Sequence, residues 1–260
     1  MEPENFCPDF NLNPMKSFDP KLLMTYKPGQ EALEEVDAFV ITLGLIFNDL
    51  KGLYWWNKQL EKGQPKNLKE ATEYVGQWSG MRIQIGRLLL GIFVELLNTI
   101  NENPKPLNHP LFKKVIDNLD NTSFICWNDI VLAANQKKSG IKKNKKLFDL
   151  LQEVRSNGIF HYENIGEIHK GYKAHFFGQV PISAPEFNSN AFYSTGKNIF
   201  EMRFYFSDAA VDGYSKIKAA KYQKQHGNFN IAHFVQNSLQ KIHTSFQNII
   251  EGYIEERKSS

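Results

Sequence analysis

The sequence predicts an all-α protein: a bundle of long helices with a proline-rich N-terminal arm and a short irregular or β-hairpin insertion. Three observations carry that reading. Apolar residues recur at intervals of three and four along most of the chain, the period of helices with one buried face. The interruptions are brief and marked by glycine, proline or asparagine. Strand-type residues are confined to a stretch near 191–206. Long helices with short breaks bury their apolar stripes most simply against one another.

Pro3, Pro8, Pro14, Pro20 and Pro28 fall within residues 1–28, and repeated prolines exclude a long helix there. This segment is expected to be an extended arm laid on the body by Phe6, Phe10, Leu12 and Phe18. Residues 29–260 are expected to form a single helical domain. From Gln30, the residues Leu33, Val36, Val40, Leu43, Phe47, Leu50 and Tyr54 mark one helical face, and Gly63-Gln64-Pro65 ends it. A second helix covers about Leu68 to Asn101, with Tyr74, Trp78, Met81, Ile85, Leu88, Ile92 and Leu96 on one face. Its Gly76, Gly80, Gly86 and Gly91 each weaken helix propensity by roughly 1 kcal/mol against alanine, and are read as points of tight helix packing.

Asn103-Pro104-Lys105-Pro106 is a break. A short helix is expected from Pro110 to Leu119, and another from an N-cap at Thr122 to Asn135. A lysine-rich loop over 137–146 leads into a helix from about Lys145 to Ile168. Residues 171–206 read as an insertion: Phe176-Phe177, Pro181 and Pro185 as irregular loop, then a hairpin of 191–194 with 199–206 around Thr195-Gly196. Helix resumes near Ser207. The last one, from Asn230 to Arg257, buries Ile231, Phe234, Val235, Leu239, Ile242, Phe246, Ile249 and Tyr253.

Composition narrows the function classes. Apolar residues make up 42 % of the 260, and 20 Phe, 10 Tyr and 4 Trp point to an aromatic-rich core. The net charge of +3 is too mild to imply a nucleic-acid partner unless the basic residues cluster. Cys7 and Cys126 provide no disulfide framework, which fits a reducing compartment. Met1-Glu2-Pro3-Glu4 lacks the basic and apolar pattern of a secretion signal. The apolar runs Ala38–Phe47 and Leu88–Val94 are too short to span a bilayer. A cytoplasmic protein with no membrane partner is expected.

The chemistry concentrates in Arg155-Ser156-Asn157-Gly158-Ile159-Phe160-His161-Tyr162. Arginine offers a planar fork of donors to phosphate oxygens, and histidine carries a proton in either direction near neutral pH. On a straight helix the two side chains would stand about 120° apart, so they converge only through a bend at Gly158, a late helix start, or the meeting of two copies across a dimer. The structural reading of the same residues is a buried His161 on the apolar stripe of Leu147, Leu150 and Val154, with Arg155 paired to Glu153 or Glu163.

Val154-Arg155 followed by Phe160-His161-Tyr162 resembles the Arg-x(4–6)-His motif of the HEPN superfamily, in its hydrophobic-Arg … Phe-His-Tyr form. The resemblance is centred on about residues 147–165 and extends more weakly to 30–60 and 68–101, including Phe47-Asn48-Asp49-Leu50-Lys51. It implies a HEPN-type helical bundle and a metal-independent endoribonuclease acting through 2′-OH attack, with its site composed at a homodimer interface. It implies that His161 moves the proton and Arg155 stabilises the phosphorane charge, with Ser156, Asn157 and Tyr162 in support. A toxin–antitoxin or antiviral-defence role, with an antitoxin or other regulatory partner, follows from the same resemblance. Ser156 stands where active members often carry Asn, Asp or His, so a non-catalytic module binding RNA, a nucleotide or a protein is the alternative.

Lys137, Lys138, Lys142, Lys143, Lys145 and Lys146 precede the motif and would attract an RNA backbone, although such runs are commonly solvated loops. No two histidines stand four apart, and there is no Cys-x-x-Cys, so no metal is expected. No P-loop, Gly-x-Gly-x-x-Gly or Gly-x-Ser-x-Gly pattern calls for a nucleotide cofactor or a serine nucleophile. No cofactor of any kind is therefore expected. Asp49 is read as an auxiliary acid or, more simply, as a surface neighbour of Lys51.

Overall fold

The computed structural model of the chain describes residues 16–24, 31–68, 72–135, 151, 153, 165–177, 191, 193–195, 202–226 and 231–259. Among these the protein is built of helices: α1 (Glu31–Lys62), α2 (Glu73–Glu102), α3 (Pro104–Asn108), α4 (Pro110–Asp117), α5 (Asn121–Asn135), α6 (Ile165–Phe177), α7 (Tyr205–His226) and α8 (Ile231–Ser259). The all-α expectation stands at that level.

Helix α2 is the centre. It packs on α1, α5, α7 and α8, and the corner helices α3 and α4 close one end of the bundle. Because several neighbours cover it, its second half is buried on more than one side. Leu89, Leu90, Phe93, Val94 and Leu97 join Ile85 and Leu96 in the core, while Tyr74 and Met81, expected on the buried face, are exposed. Helix α1 keeps its predicted stripe through Leu33, Val36, Val40, Leu43 and Leu50. That stripe runs out at Tyr54, which is exposed, with the Lys58 ammonium 5.5 Å from its ring centre. In α8, Ile242, Phe246, Ile249 and Tyr253 are buried as the period predicts. Edge-to-face contacts run from Phe39 to Phe112 to Trp127 to Phe246, tying α1, α4, α5 and α8 together.

The punctuation is more specific than the breaks alone suggest. Asn103-Pro104-Lys105-Pro106 ends α2 as expected, but the chain re-enters a helix at once, because proline at the first helical position has no amide hydrogen to waste. The cap of α5 is Asp120 rather than Thr122: its carboxylate accepts from the backbone N–H groups of Thr122 and Ser123 at 2.9 and 3.0 Å. The Trp78 indole N–H donates to the Leu60 carbonyl at 2.7 Å and the Tyr74 hydroxyl to the Gly63 carbonyl at 2.6 Å, stitching the end of α1 to the start of α2.

In the arm, the described residues contain a 3-10 turn, Pro20–Leu23, that lies against α8. Leu23 packs on the core, whereas Phe18, expected as an anchor, is exposed. Phe6, Phe10 and Leu12 lie outside the described residues. The turn is held by a buried network in which the Arg257 guanidinium donates to Asp37 at 3.1 and 3.2 Å, the Tyr253 hydroxyl donates to Asp37 at 2.7 Å, and Arg257 also donates to the Leu22 carbonyl at 2.5 Å.

Two expectations change in the second half. Helix α6 runs from Ile165 to Phe177, so residues 171–177 belong to it and not to an irregular insertion, while most of the helix expected over 145–168 lies outside the described residues. Gly171 does not break α6, since it is where α7 comes closest. A Cβ there would stand 2.0 Å from the Ala210 carbonyl, and one at Gly213 would stand 2.2 Å from the Gly171 carbonyl. Of the expected hairpin, the described residues contain one antiparallel bridge, Ser194 with Arg203, and helix α7 begins at Tyr205, two residues before Ser207.

Candidate functional site beside the arginine–histidine segment

Arg155, Ser156, Asn157, His161 and Tyr162 lie outside the described residues, as do Lys137, Lys138, Lys142, Lys143, Lys145 and Lys146. The residues on either side of the motif are described. Leu151 is fully buried in the main core. Two residues later Glu153 meets Lys218 of α7, and Lys218 is also 3.8 Å from Glu167 in the first turn of α6. The lysine therefore links the residues before the motif to the helix that follows it. Burial pulls the Lys218 pKa down, but the hydrogen bond and charge of Glu153, with the Tyr214 oxygen, outweigh it, and the net direction is up. Its ammonium lies 5.1 Å from the Tyr214 ring centre. Lys218 is thus a fixed cation.

Further along the α6–α7 contact, His175 Nδ1 stands 3.6 Å from Asp212, whose carboxylate is 2.6 Å from Lys216. Burial pushes the Asp212 carboxyl up, but His175 and Lys216 more than offset this and hold it below its usual value. Tyr205 is raised by burial and by the charges of Asp212 and Asp208. Asp208 is itself raised by burial, against the opposing pull of Arg203 at 3.0 Å and of Arg87. The Arg203 guanidinium occupies the space a side chain at Gly80 would need, so this glycine accommodates an arginine and not a helix backbone.

The outer face of α6 has a different character. His169 stacks on Tyr172 with ring centres 6.5 Å apart, and Tyr172 lies 4.8 Å from Phe176 and 6.2 Å from Phe177. Phe177 is 77 % exposed. An open hollow of about 540 Å³ is lined by His169, Tyr172, Lys173, Ala174 and Phe177. Aromatic faces interleaved with lysine can stack bases and attract phosphates. Reading Phe176-Phe177 as loop hides this face in the sequence. The spacing of His169, Tyr172 and Phe176 by three and four is the signal that would have found it.

Asp49 is exposed on α1, whose main packing partners are α2, α3 and α8 and not α6 or α7. Among the described residues no three His, Cys, Asp or Glu side chains are grouped to hold a metal ion. Helix α2 is long and apolar enough to cross a membrane by length and composition, but half of its most apolar window is buried inside the protein, as befits a central core helix. Compared with known proteins, the chain matches no family model, no curated protein and no solved structure.

Proposed function

We propose that this chain is a HEPN-type, metal-independent endoribonuclease. The observation that carries the reading is the pairing of Arg155 with His161 inside the Val154-Arg155 … Phe160-His161-Tyr162 frame. The reaction is intramolecular transesterification. The ribose 2′-oxygen attacks phosphorus, the bond to the 5′-oxygen breaks, and a 2′,3′-cyclic phosphate forms. His161 of one copy takes the 2′-OH proton and His161 of a second copy protonates the leaving oxygen, while Arg155 stabilises the charge on the phosphorane. Ser156 and Asn157 orient the phosphate, and Tyr162 supports His161. The biological setting that goes with this chemistry is a cytoplasmic toxin or phage-defence effector.

Two structural features support the reading. Glu153 and Glu167 both meet Lys218, so the residues flanking the motif are held at one place on α7. The aromatic and lysine face of α6 begins at His169, in the helix that follows the motif. Ser156 after the arginine favours the second reading, a non-catalytic module with the same RNA-binding face. Cleavage of a mixed RNA pool in EDTA separates the two. The wild type should leave cyclic-phosphate ends, and His161→Ala and Arg155→Ala should each lose roughly a hundredfold or more in rate. RNA bound but left intact would give the binding module.

A further inference from the structure

Helix α1 has a second apolar stripe, on the side away from the core. Ala38, Ile41, Leu45, Asn48, Gly52 and Trp55 follow at alternating intervals of three and four, a seven-residue repeat. Ile41 is 56 % exposed, Leu45 59 %, and Trp56, beside Trp55, 48 %. The opposite side, through Val36, Leu43 and Leu50, is fully buried.

We propose that α1 pairs antiparallel with α1 of a second copy of this chain. Size complementarity is the first argument. Laying the repeat on itself in opposite directions sets Ala38 across from Trp55, Ile41 across from Gly52 and Leu45 across from Asn48. The small residues Ala38 and Gly52 thus face the bulky Trp55 and Ile41. A Cβ at Gly52 would meet nothing within 4 Å, so the hole that receives Ile41 is open. Asn48 faces Leu45 in each of the two central layers, and a polar residue inside such a seam narrows the choice of register.

Charge is the second argument. Glu34 and Glu35 are exposed near the start of α1, Lys58 and Lys62 near its end. Antiparallel pairing sets acid against base at both ends, and parallel pairing sets like against like. Glu35 and Lys58 already have exposed partners in their own chain, Lys105 at 3.3 Å and Glu61 at 2.7 Å, so these charges choose direction more than they add strength.

Shape is the third. An open cavity of about 640 Å³ borders the stripe, between Glu35, Ala38 and Thr42 of α1 and the corner at Asn103 and Lys105. Ala38 and Trp56 are separated by about 27 Å along the helix, so in the antiparallel pair each Trp56 arrives beside the other copy's cavity. Every contact occurs twice, as a two-fold interface requires. The pairing is a contact between copies separate from the meeting of two His161 side chains that the ribonuclease reading requires. Glu153 is held by α7, which is not among the main packing partners of α1.

Sedimentation of the full chain tests the pairing. The wild type should self-associate. Ile41→Glu with Leu45→Glu should raise its dissociation constant by roughly a hundredfold or more with the helical circular dichroism unchanged. Chains carrying Ile41→Cys, mixed with chains carrying Gly52→Cys, should cross-link to each other in preference to themselves on mild oxidation, against a parent background with its native cysteines. A monomeric wild type, an oligomer of unchanged size and strength after the double substitution, or Ile41→Cys chains that link mainly to one another would each overturn the proposal.

Discussion

Asp37 and Arg257 place a full charge pair where almost no water reaches, with side chains 2 % and 5 % exposed. Such a pair contributes little net stability while complete, yet removing one partner strands the other without a counter-charge. Asp37→Ala should therefore cost about 3–5 kcal/mol in urea unfolding, far more than the same change at exposed Asp49. Asp212 makes a pH-dependent contribution. Because His175 and Lys216 hold its carboxyl below the usual value, the folded state binds that proton less readily than the unfolded chain. Its stabilisation is then full above about pH 4 and is lost as pH falls through the lower folded-state value. Asp212→Asn should lower the urea midpoint at neutral pH, and the gap to wild type should close on acidification.

At the scale of the helices, two glycines that look alike in the sequence should respond in opposite directions. Gly86 is exposed in the interior of α2, and a methyl group added there would have nothing within 4 Å, so Gly86→Ala should stabilise by up to about 1 kcal/mol. Gly171 meets the backbone of α7, so Gly171→Ala should cost about 1–3 kcal/mol, and hydrogen exchange in α6 and α7 should speed up before that in α1. The helices themselves were legible because their buried stripes follow the helical period: the ends of α1 and α2 fell within a few residues of the breaks at Gly63-Gln64-Pro65 and Asn103-Pro104. Gly171 was not legible. A glycine that ends a helix and one that lets two helices touch are the same letter, and the partner, Gly213, lies far along the chain. The α6 face was lost with it. If that face binds single-stranded RNA, Tyr172→Ala and Phe177→Ala should each weaken binding by about 1–3 kcal/mol, measured with an oligonucleotide that is not cleaved.

Across the whole molecule, the described helices form a core around α2, with the α6–α7 pair joined to it through α7. The arginine–histidine pair that suggested the chemistry is legible as residue types and spacing alone, since its six-residue separation does not fix where two side chains meet. The buried pair of Asp37 and Arg257 joins residues 220 positions apart. A chain emerging from the ribosome makes the carboxylate 220 residues before its guanidinium partner, so α1 cannot complete its buried charge pair until α8 has been made. Until then Asp37 stays hydrated, and a ribosome stalled before α8 would display α1 without its final packing.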